Sequence, residues 1–365
     1  MPVSASAPVE ALKTRYLCSV VKRFDRTNRF LTDLLFPKST WVTLENDEVQ
    51  VDELSYSPTM APFVEVNGEA VMLGRPTGSS YTHKLPFISL KMPLSATRDL
   101  LLRHAGETNI LTGTRTGDIL KRLNKRILED LKIMEDAVTE REEWMVAQAL
   151  RGSITYSQSN RASFKITFAK PAGNEVVLPV GEFWDEAGAS PLTDLDVYIK
   201  RPQANVAQGP NITDAICSES AADAIRVLIE EDTLKLLAME QRNVAYGNVQ
   251  VFEENYAENG VCYIGKINTI RFWEYGASVT DEGGNTELLI RDKWIEFVSV
   301  TPRARAMHKF FYGVIMDMEA LKGGLAIARR FAKNELKKDP SVYVQYLKTS
   351  PLPVLKRPDW NRSCL

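Results

Sequence analysis

The longest sustained pattern of apolar and polar positions runs from Gly113 to Gly152. Leu120, Leu123, Ile127, Leu131, Met134, Val138, Met145 and Ala149 recur at steps of three and four, with one turn missed at Arg141. That spacing places them on one face of a helix. Thr116 offers a hydroxyl at its start, Asp118 sets a carboxylate where the helix dipole favours one, and Gly152 stops it. Lys125–Glu129, Arg126–Asp130 and Lys132–Asp136 are i,i+4 pairs on the other faces, each a small stabilisation of a solvated surface. About 35 residues at roughly 1.5 Å each make a rod of about 50 Å. Such a rod suits a coiled-coil segment, a structural helix of an enzyme, or a spine carrying flat elements on either side.

Residues 1 to about 50 read as an extended arm. A short helix is expected around Val9 to Val21, followed by Lys22, Arg23, Arg26 and Arg29. Then Phe30, Leu31, Leu34, Leu35 and Phe36 cluster ahead of Pro37 and need cover, from their own domain or from a neighbouring copy. Residues 51–98 are β-rich. Phe63, Val64, Val66, Ala70, Val71 and Leu73 form one extended run, Gly74 to Ser80 a loop, and Leu85, Phe87, Ile88, Leu90 and Met92 a returning run. The pattern predicts a long two-stranded ribbon. An isolated hairpin is marginal in water, so this one is expected to lie on its own body or on another subunit.

Beyond the rod, Ile154 to Tyr156 and Phe164 to Phe168 predict a second hairpin, and Val176 to Leu178 an extended piece. Ser190–Pro191 opens a helix with a cap hydroxyl and proline at the first position. Ile212 to Cys217 reads as a strand, and Ser220 as the cap of a helix carrying Ala224, Val227, Leu228 and Ile229. Thr233 to Arg242 reads as a shorter helix. Strands are expected at Val249–Phe252, Val261–Ile264, Ile267–Trp273, Thr286–Ile290 and Trp294–Val300, with a turn at Asp281 to Asn285. Together these make a mixed α/β lobe. Val342 to Leu347 returns as a strand ahead of a proline-punctuated ending.

With 365 residues, 44% apolar and 25% charged, the composition is that of a folded globular protein. Lys plus Arg number 45 against 47 Asp plus Glu, and a net charge of −2 argues against a dedicated DNA-reading domain. Cys18, Cys217, Cys262 and Cys364 form no CxxC pair, so neither a zinc site nor a disulfide framework is expected, and a reducing cytoplasm suits them. The opening MPVSASAPVE has no signal-peptide pattern, and no run of 18 apolar residues predicts a membrane span.

Candidate chemistry is sparse. His83, His104 and His308 lie in no HExxH motif, and neither GxGxxG nor GxSxG occurs. Gly260 to Lys266 fits GxxxxGK, but Ile267 stands where a phosphate loop needs a hydroxyl for magnesium, and Val-Cys-Tyr-Ile has strand character. The plainer reading is two strands meeting at Gly265. His104 and Glu107 offer a metal two ligands and no third. Glu140, Glu142 and Glu143 crowd one turn and read as a solvated face, or as partners for Arg141 and a neighbouring chain's basic residues. No catalytic, cofactor-binding or metal-binding residue is assigned, and the chain is expected not to be an enzyme.

The order of parts is more specific than any motif: arm, ribbon, charged rod, hairpin, α/β lobe, returning strand. It resembles the major capsid proteins of tailed phages with the Hong Kong 97-type fold, an α+β architecture. Local stretches are similar to the lambda-like major capsid protein E family. They are Phe30-Leu31 through Leu35-Phe36-Pro37, Lys84 to Ile88, Tyr256 to Gly260, Trp184 with Ala189 to Leu192 and Asp194-Leu195, Phe331-Ala332-Lys333, Asp339-Pro340-Ser341, and Ser350 to Val354 with Arg357-Pro358. Gly323-Gly324 has no clear counterpart.

The resemblance implies an N-terminal arm over 1–50 and an extended loop over 51–98 that reaches across a neighbour. It implies a peripheral domain over 99–184 with the returning strand at 339–352, and an axial domain over 185–338 with 353–365. It further implies a structural protein that builds hexamers and pentamers of an icosahedral head, assembled in the bacterial cytoplasm. Scaffold or decoration proteins, a portal and packaged double-stranded DNA, contacted without sequence preference, are the expected partners, and no membrane or cofactor is. The expected assembly residues are Phe30, Leu34, Leu35, Phe36, Val64, Val66, Val71, Leu73, Arg75, Leu85, Phe87 and Ile88. Another ring-forming virion protein, of tail-tube or portal type, and an α/β hydrolase are the alternatives.

Overall fold

The apolar stripe of the rod decides where the rest of the chain packs. The computed structural model describes residues 29–55, 77–95, 116–157, 163–168, 170–186, 189–200, 210–230, 261–267, 269–281, 283–338 and 341–365. In chain order, the first elements are α1 (Phe30–Leu35), β1 (Trp41–Thr43), β2 (Glu48–Ser55), β3 (Thr77–Lys84), β4 (Ile88–Ser95) and the rod α2 (Thr116–Leu150). There follow β5 (Ser153–Tyr156), β6 (Phe164–Thr167), β7 (Glu175–Val176), α3 (Pro191–Asp194), β8 (Asp214–Cys217) and α4 (Glu219–Glu230). Next are β9 (Val261–Ile267), β10 (Ile270–Tyr275), β11 (Ser278–Thr280), β12 (Thr286–Leu288), β13 (Ile295–Val298), α5 (Pro302–Met307) and β14 (His308–Tyr312). The chain closes with α6 (Met318–Lys322), β15 (Phe331–Lys338), β16 (Ser341–Thr349), β17 (Pro351–Leu355) and β18 (Arg362–Cys364). Among the described residues no helix is long and apolar enough to cross a membrane.

The rod serves two cores in succession. Ile127, Leu131, Met134 and Val138 pack with Leu94, Ile315, Phe331, Ala332 and Leu347 under the sheet β15–β16–β4. From Glu142 to Val146 every side chain is buried, and Trp144 to Ala147, Ala149 and Leu150 join the largest core, with α1 and the sheet β1–β14–β17. The stripe is interrupted at Arg141 because there the helix passes from covering one sheet to being surrounded. Gly152 ends it at φ +98°, where an L side chain is strained and a Cβ would meet Lys170 at 3.1 Å. A third core lies in the lobe, between α4, the helical turn 195–200 and the six-stranded mixed sheet ordered β7–β18–β13–β8–β10–β9.

Several sequence expectations are corrected. The described ribbon is β2 paired with β3 in antiparallel register, Glu48 opposite Lys84 and Ser55 opposite Thr77. Thr77 to Ser80 is therefore strand rather than loop. In its run TGSSYTHK, Ser80, Tyr81, Thr82 and Lys84 are exposed, so no apolar alternation is asked for there. Ile88 to Ser95 does not return along the ribbon but pairs along its whole length with β16, from Ile88 opposite Thr349 to Ser95 opposite Val342. Phe63 to Leu73 lies outside the described residues. So do the helices expected at Val9–Val21 and Thr233–Arg242, the strand at Val249–Phe252, and the pair His104 and Glu107.

Residues 29–50 are not an extended arm: they fold as α1 and β1, which pairs parallel to β14. The cap of α4 is Ser218, whose Oγ accepts from Ala221 N at 3.3 Å, and not Ser220. β9 continues past Gly265, which sits opposite Phe272 with a register shift beside it at Ile264, so the strands meet beyond Ile267 rather than at the glycine, and Val261 to Ile267 is strand rather than a phosphate loop. β15 lies with the rod and β16 rather than with the lobe, against the boundary expected at 338. Pro351 to Leu355 is a strand despite two prolines, and it holds an edge position, where missing N–H donors cost no ladder bond.

Candidate assembly surfaces and the clamp beneath them

Of the three carboxylates expected on a solvated face, Glu140 is exposed, but Glu142 and Glu143 are among the most buried polar groups of the rod. Glu135, Glu142 and Glu143 are each no more than 1% exposed. Arg330, just before β15, donates from Nε to Glu135 at 2.9 Å and from Nη1 to Glu142 at 2.8 Å. Arg329 donates to Glu135 at 3.1 Å, and Arg29 lies 3.6 Å from Glu142. Burial pushes the Glu142 carboxyl up, but Arg330 and then Arg29 outweigh it and hold it below the usual carboxylate range. Glu143 accepts from Leu31 N at 2.6 Å, Thr32 N at 3.0 Å, Thr32 Oγ at 2.5 Å and Tyr275 Oη at 3.2 Å. The carboxyl thus takes two N–H groups that the first turn of α1 leaves without a partner in the helix. One rod turn therefore ties together the N-terminal segment, β10 of the lobe and the entry to β15.

This clamp explains where the expected assembly residues go. Phe30, Leu34, Leu35 and Phe36 are at most 2% exposed and pack in the subunit's own core, and Leu85 is buried there too. Phe30 packs on Trp273 and Tyr275, with centroids at 5.8 and 5.3 Å, and Phe36 on Phe310 at 5.5 Å. These five side chains have no free area for a neighbour, so as interface residues they are corrected. Ile88 is half-buried beside the rod's core. Phe87 is 46% exposed and stays available. Val64, Val66, Val71, Leu73 and Arg75 lie outside the described residues.

Other exposed apolar side chains escaped the sequence reading. Met316, Met318, Leu321 and Ile327 are between 49% and 69% exposed within one short loop around α6. The loop is firmly held. Asp317 caps α6 through Glu319 N at 2.9 Å, and its carboxylate takes Lys348 at 2.5 Å and Lys333 at 2.9 Å. Burial pushes Asp317 up, but those two ammonium groups keep it well below the usual range. In the lobe, Val177 and Val180 stand out beside β7 and Val227 on α4, and a cavity of about 290 Å³ is lined by Phe183, Trp184, Ala221, Ala224 and Leu365. The alternation in VIMDMEALKGG was the available signal for the α6 loop, but Gly323-Gly324 obscured it. Among the described residues no group of three or more His, Cys, Asp or Glu side chains could hold a metal ion.

Comparison with known proteins follows the fold. The family model described as phage major capsid protein E matches residues 13–362. A solved structure described as a capsid protein of a prophage of E. coli CFT073 superposes with a TM-score of 0.69 at 19% identity, covering 97% of this chain and 98% of that one. The capsid of Ralstonia phage GP4 gives a TM-score of 0.48 at 11% identity, covering 91% and 88%. A phage-related protein of Bordetella bronchiseptica RB50 gives 0.47 at 10% identity, covering 96% of each. No curated protein matches significantly. At 19% identity the first likeness speaks for the fold, which is the Hong Kong 97-type capsid fold.

Proposed function

This chain belongs to the phage major capsid protein E family and is a structural subunit of a phage or prophage capsid, and from that premise we propose how it builds the shell. Copies assemble into hexamers and pentamers that close an icosahedral head around double-stranded DNA. The observation that carries this reading is the family match over residues 13–362. The near-neutral charge supports it, since many copies must pack without strong self-repulsion. The six-stranded lobe would be the axial domain, meeting its copies at the capsomer centre, and the rod with its sheets the peripheral domain. Phe87 and the α6 loop would be covered by neighbouring copies, because firmly held exposed apolar patches mark interaction sites. Assembly would take place in the host cytoplasm, with a portal at one vertex and with scaffold or decoration proteins where the phage encodes them. DNA would be met only through its backbone.

The test is negative-stain electron microscopy of concentrated purified protein. Rings of five and six or closed shells are expected. A single ring size that never closes would point to a tail-tube or portal-type protein. A small monodisperse species at all concentrations would overturn the reading.

A further inference from the structure

Glu142 and Glu143 are neighbours in sequence, equally buried, and opposite in environment. Glu142 is held by Arg330 and Arg29. Glu143 faces uncharged donors: Leu31 N, Thr32 N and Thr32 Oγ from the N-terminal segment, and Tyr275 Oη from β10. Among the described residues no lysine, arginine or histidine pairs with it. The charge nearest on the segment is Arg29, already engaged with Glu142, whose other partner is Arg330. The four donors favour the carboxylate, but full burial without a cation of its own favours the neutral carboxyl. The short 2.5 Å contact to Thr32 Oγ accommodates that form, because a hydroxyl donates to a carboxylate or accepts from a carboxylic acid equally well.

We propose that the seating of residues 29–36 on the rod is a proton-dependent latch, with Glu143 as its titrating group, and that it tightens as pH falls through the neutral range. Burial pushes Glu143 up to about 7, against the hydrogen bonds from Thr32 and Leu31 and the charge of Arg29. When the segment lifts away, the carboxyl meets water and its pKa returns toward the ordinary 4.5. The seated form then holds a proton between those values that the lifted form releases, so seating weakens as pH rises toward 7 and is flat above. His308, whose ring lies 5.8 Å from that of Phe36, is the other titratable group under the segment. Its pKa is pushed down by burial to about 4, so it opposes the trend.

The experiment is amide hydrogen exchange on the full-length protein, with the protection of Leu31 and Thr32 corrected for intrinsic rates from pH 5 to 8. The comparison is between wild type and Glu143→Gln, which keeps the shape and cannot titrate. Their ratio removes the His308 contribution. Wild-type protection relative to the variant should fall about 70-fold from pH 5 to pH 8 by linkage between the two pKa values. A flat ratio overturns the latch. A second measurement needs no variant: carbon NMR of wild type labelled at glutamate carboxyls should show one buried glutamate titrating near pH 7. If every glutamate titrates below about 5, the proposal fails.

Discussion

Arg330 Nη1 donates to Glu142 Oε1 at 2.8 Å, with both side chains at most 4% exposed, across 188 residues of sequence. The pair fastens the strand entry at 330 to the rod, and Glu135, about two helical turns earlier, takes the same guanidinium at 2.9 Å.

Breaking the pair from one side should be costly. Arg330→Met leaves Glu135 and Glu142 buried with too little compensating charge, and about 3–5 kcal/mol of stability should be lost. Glu142→Gln should cost less, because Arg330 keeps Glu135 and Thr349 Oγ1 as partners. Urea unfolding of both variants measures the difference. Equal small losses would mean that the guanidinium is hydrated rather than sealed.

His308 should make the fold acid-sensitive. It is 1% exposed, and burial pushes its pKa down to about 4. The unfolded chain takes a proton near pH 6.5 that the folded chain refuses until about 4, so its contribution is lost as pH falls through that window. His308→Leu should remove up to about 3 kcal/mol of the decline between pH 7 and 4. Because Glu143 acts in the opposite direction, the quantity to read is the difference between wild-type and variant melting curves at each pH.

Leu131 is 1% exposed in the core under β15–β16–β4. Leu131→Ala should cost about 2–5 kcal/mol through lost burial and the cavity left behind. Leu131→Pro should abolish soluble folded protein, since it also removes a helix hydrogen bond and clashes with the preceding turn, about 3 kcal/mol or more. Wild-type melting in either variant would contradict the packing described.

The α6 loop and Phe87 should separate folding from assembly. Met318→Glu, Leu321→Lys and Phe87→Glu place charge on surfaces that are already solvated in the subunit, so each should change stability by no more than about 0.5 kcal/mol. Thermal melting checks that much. Electron microscopy of the same samples should show fewer closed shells, and normal shells from all three would remove these patches from the assembly surface.

Local pattern by itself determined the rod, the β5–β6 hairpin and most of the described strands of the lobe, and the class of the protein came from its resemblance to a known family. A helix face and a strand alternation are written within a few consecutive residues, and the order of such elements is distinctive. Partnership is not written locally, and there tertiary structure decided. Phe30 to Phe36 looked the same in sequence whether a neighbour or the subunit itself covered them; the long-range bonds of Glu143 placed them inside. Glu142 and Glu143 carried the spacing of a solvated face, and only Arg330, far along the chain, turned that face into a buried clamp. Ile88 to Ser95 was legible as a strand, but its choice of β16 over the ribbon depends on hydrogen bonds to residues about 250 positions away, which no window of sequence contains.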